Sequence, residues 1–121
     1  MRGLALIALL PLAACAPQAP APRPTLALDC KLGFAALSKA ISGEPGMSLA
    51  QEPGEPYRFY RPADGGPSFV LTLPGAPGHP AAFKQEAVQV GGKKAMMTTG
   101  CPFGDREGYA EVLAYLQGLS K

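Results

Sequence analysis

The chain of 121 residues contains no tryptophan, a single histidine and three cysteines. Nine Phe and Tyr residues make up its whole aromatic complement. So few rings exclude a large stacking platform for bases. One histidine excludes the paired-histidine zinc motifs, and neither a serine elbow, a calcium loop nor a phosphate-cradling glycine loop occurs. No apolar run reaches the roughly 20 residues of a bilayer-spanning helix. An excess of one charge is also missing. Eleven Lys and Arg stand against nine Asp and Glu, and they are scattered. There is neither a basic stripe for nucleic acid nor an acidic tail. No internal repeat at a solenoid period is present.

What the chain does have begins at its start. Met1 and Arg2 supply a positive charge, Gly3 to Leu10 is apolar, and Pro11 ends the run. Ala13 and Ala14 follow, then Cys15. Charge, short apolar segment and small-residue cleavage site are the order of a signal peptide. Leu12-Ala13-Ala14-Cys15 resembles the lipobox of bacterial lipoproteins. The resemblance covers the first fifteen residues. It implies cleavage after Ala14, a diacylglycerol thioether on Cys15 and acylation of the new amino terminus. It also implies a periplasm-facing place at the outer membrane, because Ala16 stands where an inner-membrane lipoprotein tends to carry aspartate. Each buried methylene contributes about 0.8 kcal/mol, so two or three chains hold a domain where one would not. An ordinary secretory signal beside a chance cysteine is the alternative.

Residues 15–24 then read as a tether. Pro17, Pro20, Pro22 and Pro24 forbid helix and favour extended polyproline II. The nine residues from Ala16 to Pro24, at about 3.1 Å each, reach roughly 28 Å. A Pro-rich ligand for a partner groove is the sharper reading of the same residues.

Assigning Cys15 to lipid leaves Cys30 and Cys101, an even pair in an oxidising compartment. A bridge between them closes a loop of about 72 residues, for which the chain-entropy estimate is roughly 4 kcal/mol. The competing reading is a metal or redox site. Zinc usually has four ligands, or three and a water, and only His79 is there to join two thiols. Cys-x-x-Cys is absent. No metal and no cofactor are expected.

Residues 25–121 are expected to form one small α+β domain: an N-terminal helix, an antiparallel meander of about four strands and a C-terminal helix, with both helices on one sheet face. Asp29 is an N-cap for a helix to Ser42, with Cys30, Phe34, Leu37 and Ile41 as its apolar stripe and Gly43-Glu44-Pro45 as its stop. Met47 to Gln51 reads as a short edge strand. Tyr57–Arg61 and Ser68–Leu73 alternate around a turn-rich Pro62–Pro67. Aligning their apolar faces sets Phe59 near Leu71 and Tyr57 near Leu73. Gly91-Gly92 signals a two-residue hairpin turn that sets Val88 opposite Ala95 and Glu86 opposite Met97. Val88, Val90, Ala95 and Met97 then form a second apolar patch, and at least one of Met96 and Met97 fills core. Thr98 to Asp105 leads out of the sheet. Asp105 caps a last helix, Arg106 to about Ser120, with Tyr109, Val112, Leu113 and Leu116 as its stripe.

Two places are candidates for binding. The loop Pro74–Pro80 presents His79, and constrained loops often carry function. Arg58, Tyr60 and Arg61, beside Asp64, form a cluster on what reads as the polar sheet face, suited to an anionic or sugar-like ligand. Solvated surface is the plainer reading of that cluster, and a turn residue the plainer reading of His79. No catalytic residue is identified. Three function classes follow. The favoured one is a non-catalytic envelope lipoprotein, held to the membrane through Cys15, that docks a protein or cell-wall partner. The second is a small-ligand or inhibitor module of the periplasm. The third is a small hydrolytic enzyme.

Overall fold

The computed structural model describes Gly3 and residues 26–119. Apart from Gly3, the leader, Cys15 and the tether lie outside the described residues. The domain is α+β, with two helices and an antiparallel sheet of five strands rather than the expected four, in the order β1-β2-β3-β4-β5. Its elements are α1 (Phe34–Ser42), β1 (Met47–Ala50), β2 (Tyr57–Pro62), β3 (Ser68–Thr72), β4 (Ala81–Val90), β5 (Lys93–Pro102) and α2 (Arg106–Leu119).

The first helix is shorter than its capping signal predicts. Asp29 does cap, accepting the Lys31 N–H at 3.0 Å, but what it caps is a 3₁₀ turn over Cys30–Leu32. Gly33, at φ +80° and ψ 164°, then breaks the chain before α1. Cys30 is therefore exposed on the turn and not buried on the helix stripe. Leu37 and Ile41 are the fully buried residues of α1.

The helices cover opposite faces of the sheet, which corrects the expected one-sided arrangement. Leu37 and Ile41 of α1 pack with Tyr60, Phe69, Leu71, Ala82 and Cys101. Val112 and Leu116 of α2 pack with Val70, Ala81 and Phe83. Phe69, Val70 and Leu71 are consecutive and all buried, so β3 is apolar on both sides, as a strand between two layers must be. On the α2 face, Tyr109 stacks on Phe83 with centroids 5.1 Å apart and Tyr57 stacks on Tyr115 at 5.8 Å. Gly100 makes room for the first pair, since a Cβ there would collide with the Tyr109 hydroxyl and the Phe83 ring.

The register of β2 against β3 also differs by one residue from the expected alignment. Phe59 faces Val70 and Tyr57 faces Thr72. Such a slip sends every side chain of a strand to the other face. Tyr60 and Arg58 consequently sit on the α1 face, opposite Phe69 and Leu71, and Tyr60 is only 5% exposed. The Gly91-Gly92 hairpin has the expected register, with Val88 opposite Ala95 and Glu86 opposite Met97. Both glycines have positive φ, +56° and +77°, as a type I′ turn requires. Met96 and Met97 of this hairpin are each 46% exposed, so neither fills core. β5 also runs on to Pro102, which places Cys101 inside the sheet opposite Ala82.

The Cys30–Cys101 disulfide is formed, with Cα atoms 5.3 Å apart and a sequence separation of 71. It ties the 3₁₀ turn ahead of α1 to the edge strand β5. Asp105 caps α2 through its Oδ2, which accepts the Gly108 N–H at 2.7 Å.

Candidate functional site: a recess between α1 and the sheet

Phe34, Ser38 and Ser42 are four residues apart and form one line along α1. That line, with Lys39 beside it, is one wall of an open recess of about 450 Å³. Arg58 and Tyr60 of β2 and Leu71 of β3 form the floor. His79 closes one end from the Pro74–Pro80 loop. The volume lies in the range of small-molecule sites.

The loop that carries His79 is held by backbone contact. The Ala76 N–H donates to the Leu73 carbonyl at 3.1 Å, and the His79 N–H donates to the Ala76 carbonyl at 3.2 Å. Ala76 is buried. Gly78 lies directly against the first turn of α2. A Cβ on Gly78 would run into the Tyr109 backbone, and a Cβ on Gly108 would run into Gly78. Gly104 meets the same loop, at the carbonyls of Gly78 and His79. Three glycines thus let the loop touch the helix with no side chain between, and His79 is fixed in place by α2 from the far side of the sheet.

Thr72 fixes the ring itself. Its Oγ1 lies 2.8 Å from His79 Nδ1, 2.8 Å from the Ala81 nitrogen and 3.1 Å from the Ala81 carbonyl oxygen. A hydroxyl has one proton and two lone pairs. All three contacts are satisfied together when Oγ1 donates to the Ala81 carbonyl and accepts from the Ala81 N–H and from His79 Nδ1–H. That count assigns the Nδ1–H form to a neutral His79 and leaves Nε2 as an acceptor, without a hydrogen-bond partner among the described residues. Phe34 meets the ring edge-on, with centroids 5.5 Å apart and planes at 83°.

Two further features set the chemistry of the recess. Ser38 Oγ is buried and has no hydrogen-bond partner among the described residues. An unmade bond of this kind costs about 1–3 kcal/mol. The charges that line the recess are those of Lys39 and Arg58, with no carboxylate among the lining residues. The ion pair among the described residues joins Lys84 and Glu86, elsewhere on the sheet.

Of the residues singled out by sequence, His79, Arg58 and Tyr60 meet in this recess. Arg61 does not: it points to the other face and borders a smaller recess of about 300 Å³ with Phe59, Gln85, Met96 and Leu119. Asp64 Oδ1 accepts the Gly66 N–H in the β2–β3 turn. Ser38, Ser42 and Lys39 escaped sequence reasoning. The signal for the two serines was present in their four-residue spacing from Phe34, and Lys39 lies next to Ser38. Cys15, the expected lipid site, lies outside the described residues.

Cys30 and Cys101 are consumed by their bridge. Among the described residues, no three His, Cys, Asp or Glu side chains gather as a metal site, and no helix is long and apolar enough to cross a membrane. Tyr57 and Tyr109, the groups with displaced pKa values, both belong to the α2 face. No family model, curated protein or solved structure matches the chain.

Proposed function

We propose that this chain is a lipid-anchored cell-envelope lipoprotein with a non-catalytic docking role, its domain held off the membrane surface by the Pro-rich tether and facing the periplasm. The anchor rests on the lipobox-like Leu12-Ala13-Ala14-Cys15. Docking rests on one observation: Arg58, Tyr60 and His79, from different segments of the chain, converge with α1 on a single recess. A disulfide ties the turn ahead of α1 to β5, and close glycine contacts seat the loop that carries His79. The small-ligand reading is favoured by the same volume and differs only in the size of what enters.

Fractionation of a Cys15→Ser variant tests the anchor. Release into the soluble fraction is expected, and retention by detergent-extractable membranes would remove it. Docking is tested by filling the recess with Ser38→Phe in the lipidated protein and comparing retained envelope components with those of an Arg61→Trp variant, altered on the other face. Loss of a component by the first and not the second is expected. Equal retention by both would place docking elsewhere.

A further inference from the structure

We infer that the recess takes an N-acyl amino acid, the chemistry of a peptide carboxy terminus, with its carboxylate toward Lys39 and Arg58 and its apolar side chain along Phe34 and Leu71. The inference deepens the docking proposal and rests on it. Three features select the ligand independently. Its charge follows from two lining cations that face no lining carboxylate. An anion there meets attraction from both and like-charge repulsion from nothing that lines the recess.

The second feature is apolar surface. Phe34, Leu71, Leu73 and Pro74 make up much of the wall, so a bare inorganic anion would leave it wet. An apolar side chain removes that surface from water, which is favourable in proportion to the area buried. The third is a pair of unused hydrogen-bonding atoms. His79 is held through Nδ1 by Thr72, and its Nε2 is left as an acceptor. An amide N–H is the donor that suits it. Ser38 Oγ is buried without a hydrogen-bond partner among the described residues, and a ligand carboxylate or carbonyl oxygen would accept its proton. A carboxylate, an amide N–H and an apolar side chain within a few bonds of one another describe an N-acylated apolar amino acid.

The test is a titration of the lipidated full chain in a nonionic detergent, followed by NMR at the Ser38 amide and the His79 ring. The probes share one body. N-acetyl-leucine carries charge and donor, N-acetyl-leucinamide is neutral, leucinamide is cationic, 4-methylpentanoate lacks the amide, and N-acetylglycine lacks the apolar side chain. Saturable shifts are expected with N-acetyl-leucine, and about tenfold weaker binding for the neutral and cationic probes. Weaker binding is also expected for the two anions that lack amide or side chain. A Lys39→Gln, Arg58→Gln double variant should erase the difference between N-acetyl-leucine and its amide. If the neutral or cationic probe binds at the recess as tightly as N-acetyl-leucine, the ligand class is wrong and the docking recess stands. If no probe shifts Ser38 or His79, both the ligand class and the recess as a docking site fall.

Discussion

Thr72 Oγ1 and His79 Nδ1 lie 2.8 Å apart, joining the end of β3 to the loop that closes the recess. The hydroxyl also bonds both backbone groups of Ala81. Thr72 is 1% exposed, the sole polar residue in the buried set of the described chain. One oxygen thus organises the strand end, the loop and the imidazole. Thr72→Val keeps the shape and removes the oxygen, leaving the Ala81 groups and the imidazole N–H without their partner. A loss of about 2–4 kcal/mol is expected from such unmade buried bonds. Thr72→Ser should restore most of it. Chemical denaturation of the three proteins, with the His79 ring signals followed by NMR, checks both statements.

The loop itself depends on the close approach of Gly78 to Gly108. A methyl group on Gly108 would meet the Gly78 backbone, so either the loop or α2 must move. Gly108→Ala is expected to cost about 1–3 kcal/mol as overpacking, although alanine is the better helix former. The His79 signals should shift with it. Gly118→Ala, on an open position of the same helix, should be neutral or slightly stabilising.

Breaking the bridge should be costly because the fold is small. The disulfide spans 71 residues of sequence, and for loops of this length the chain-entropy estimate is about 4 kcal/mol. A Cys30→Ser, Cys101→Ser variant is expected to unfold at much lower denaturant concentration than the parent. Reduction of the parent should reproduce that shift. Cys30 is exposed and Cys101 fully buried, so a free Cys101 in the single Cys30→Ser variant should resist alkylation until the domain opens.

Alkaline pH should weaken the α2 face first. Burial raises the pKa of Tyr57 above its ordinary value, with Tyr115, Glu55 and Glu111 adding to the rise, and burial does the same for Tyr109. Between the unfolded and folded values the native state holds protons that the unfolded chain has lost. The stabilising contribution is therefore complete below the unfolded tyrosine value of about 10. It is lost as pH rises through the folded values. Unfolding free energy measured from pH 8 to 12 should fall above about pH 10, and a Tyr57→Phe, Tyr109→Phe variant should fall less steeply. Equal slopes would remove the two tyrosines as the cause.

Sequence alone determined what short-range chemistry controls. The Gly91-Gly92 turn leaves two residues between strands, so the pairs Val88 with Ala95 and Glu86 with Met97 follow from counting. Asp105 capping α2 is likewise local, resolved within three residues. The pairing of Cys30 with Cys101 followed from elimination once Cys15 was assigned elsewhere. Tertiary structure decided the rest. Between β2 and β3 the connection is longer, turn geometry no longer fixes register, and two alignments one residue apart both give Phe59 an apolar partner, Leu71 in one and Val70 in the other. Packing chose the one that buries Tyr60 under α1 and opens Arg58 to the recess. The run Phe69-Val70-Leu71 has apolar side chains on both sides of its strand, and only a layer on each face removes them all from water. That requirement split the helices across the sheet. It also brought His79, nineteen or more residues from Arg58 and Tyr60 in sequence, into the same recess, a meeting that no local spacing encodes.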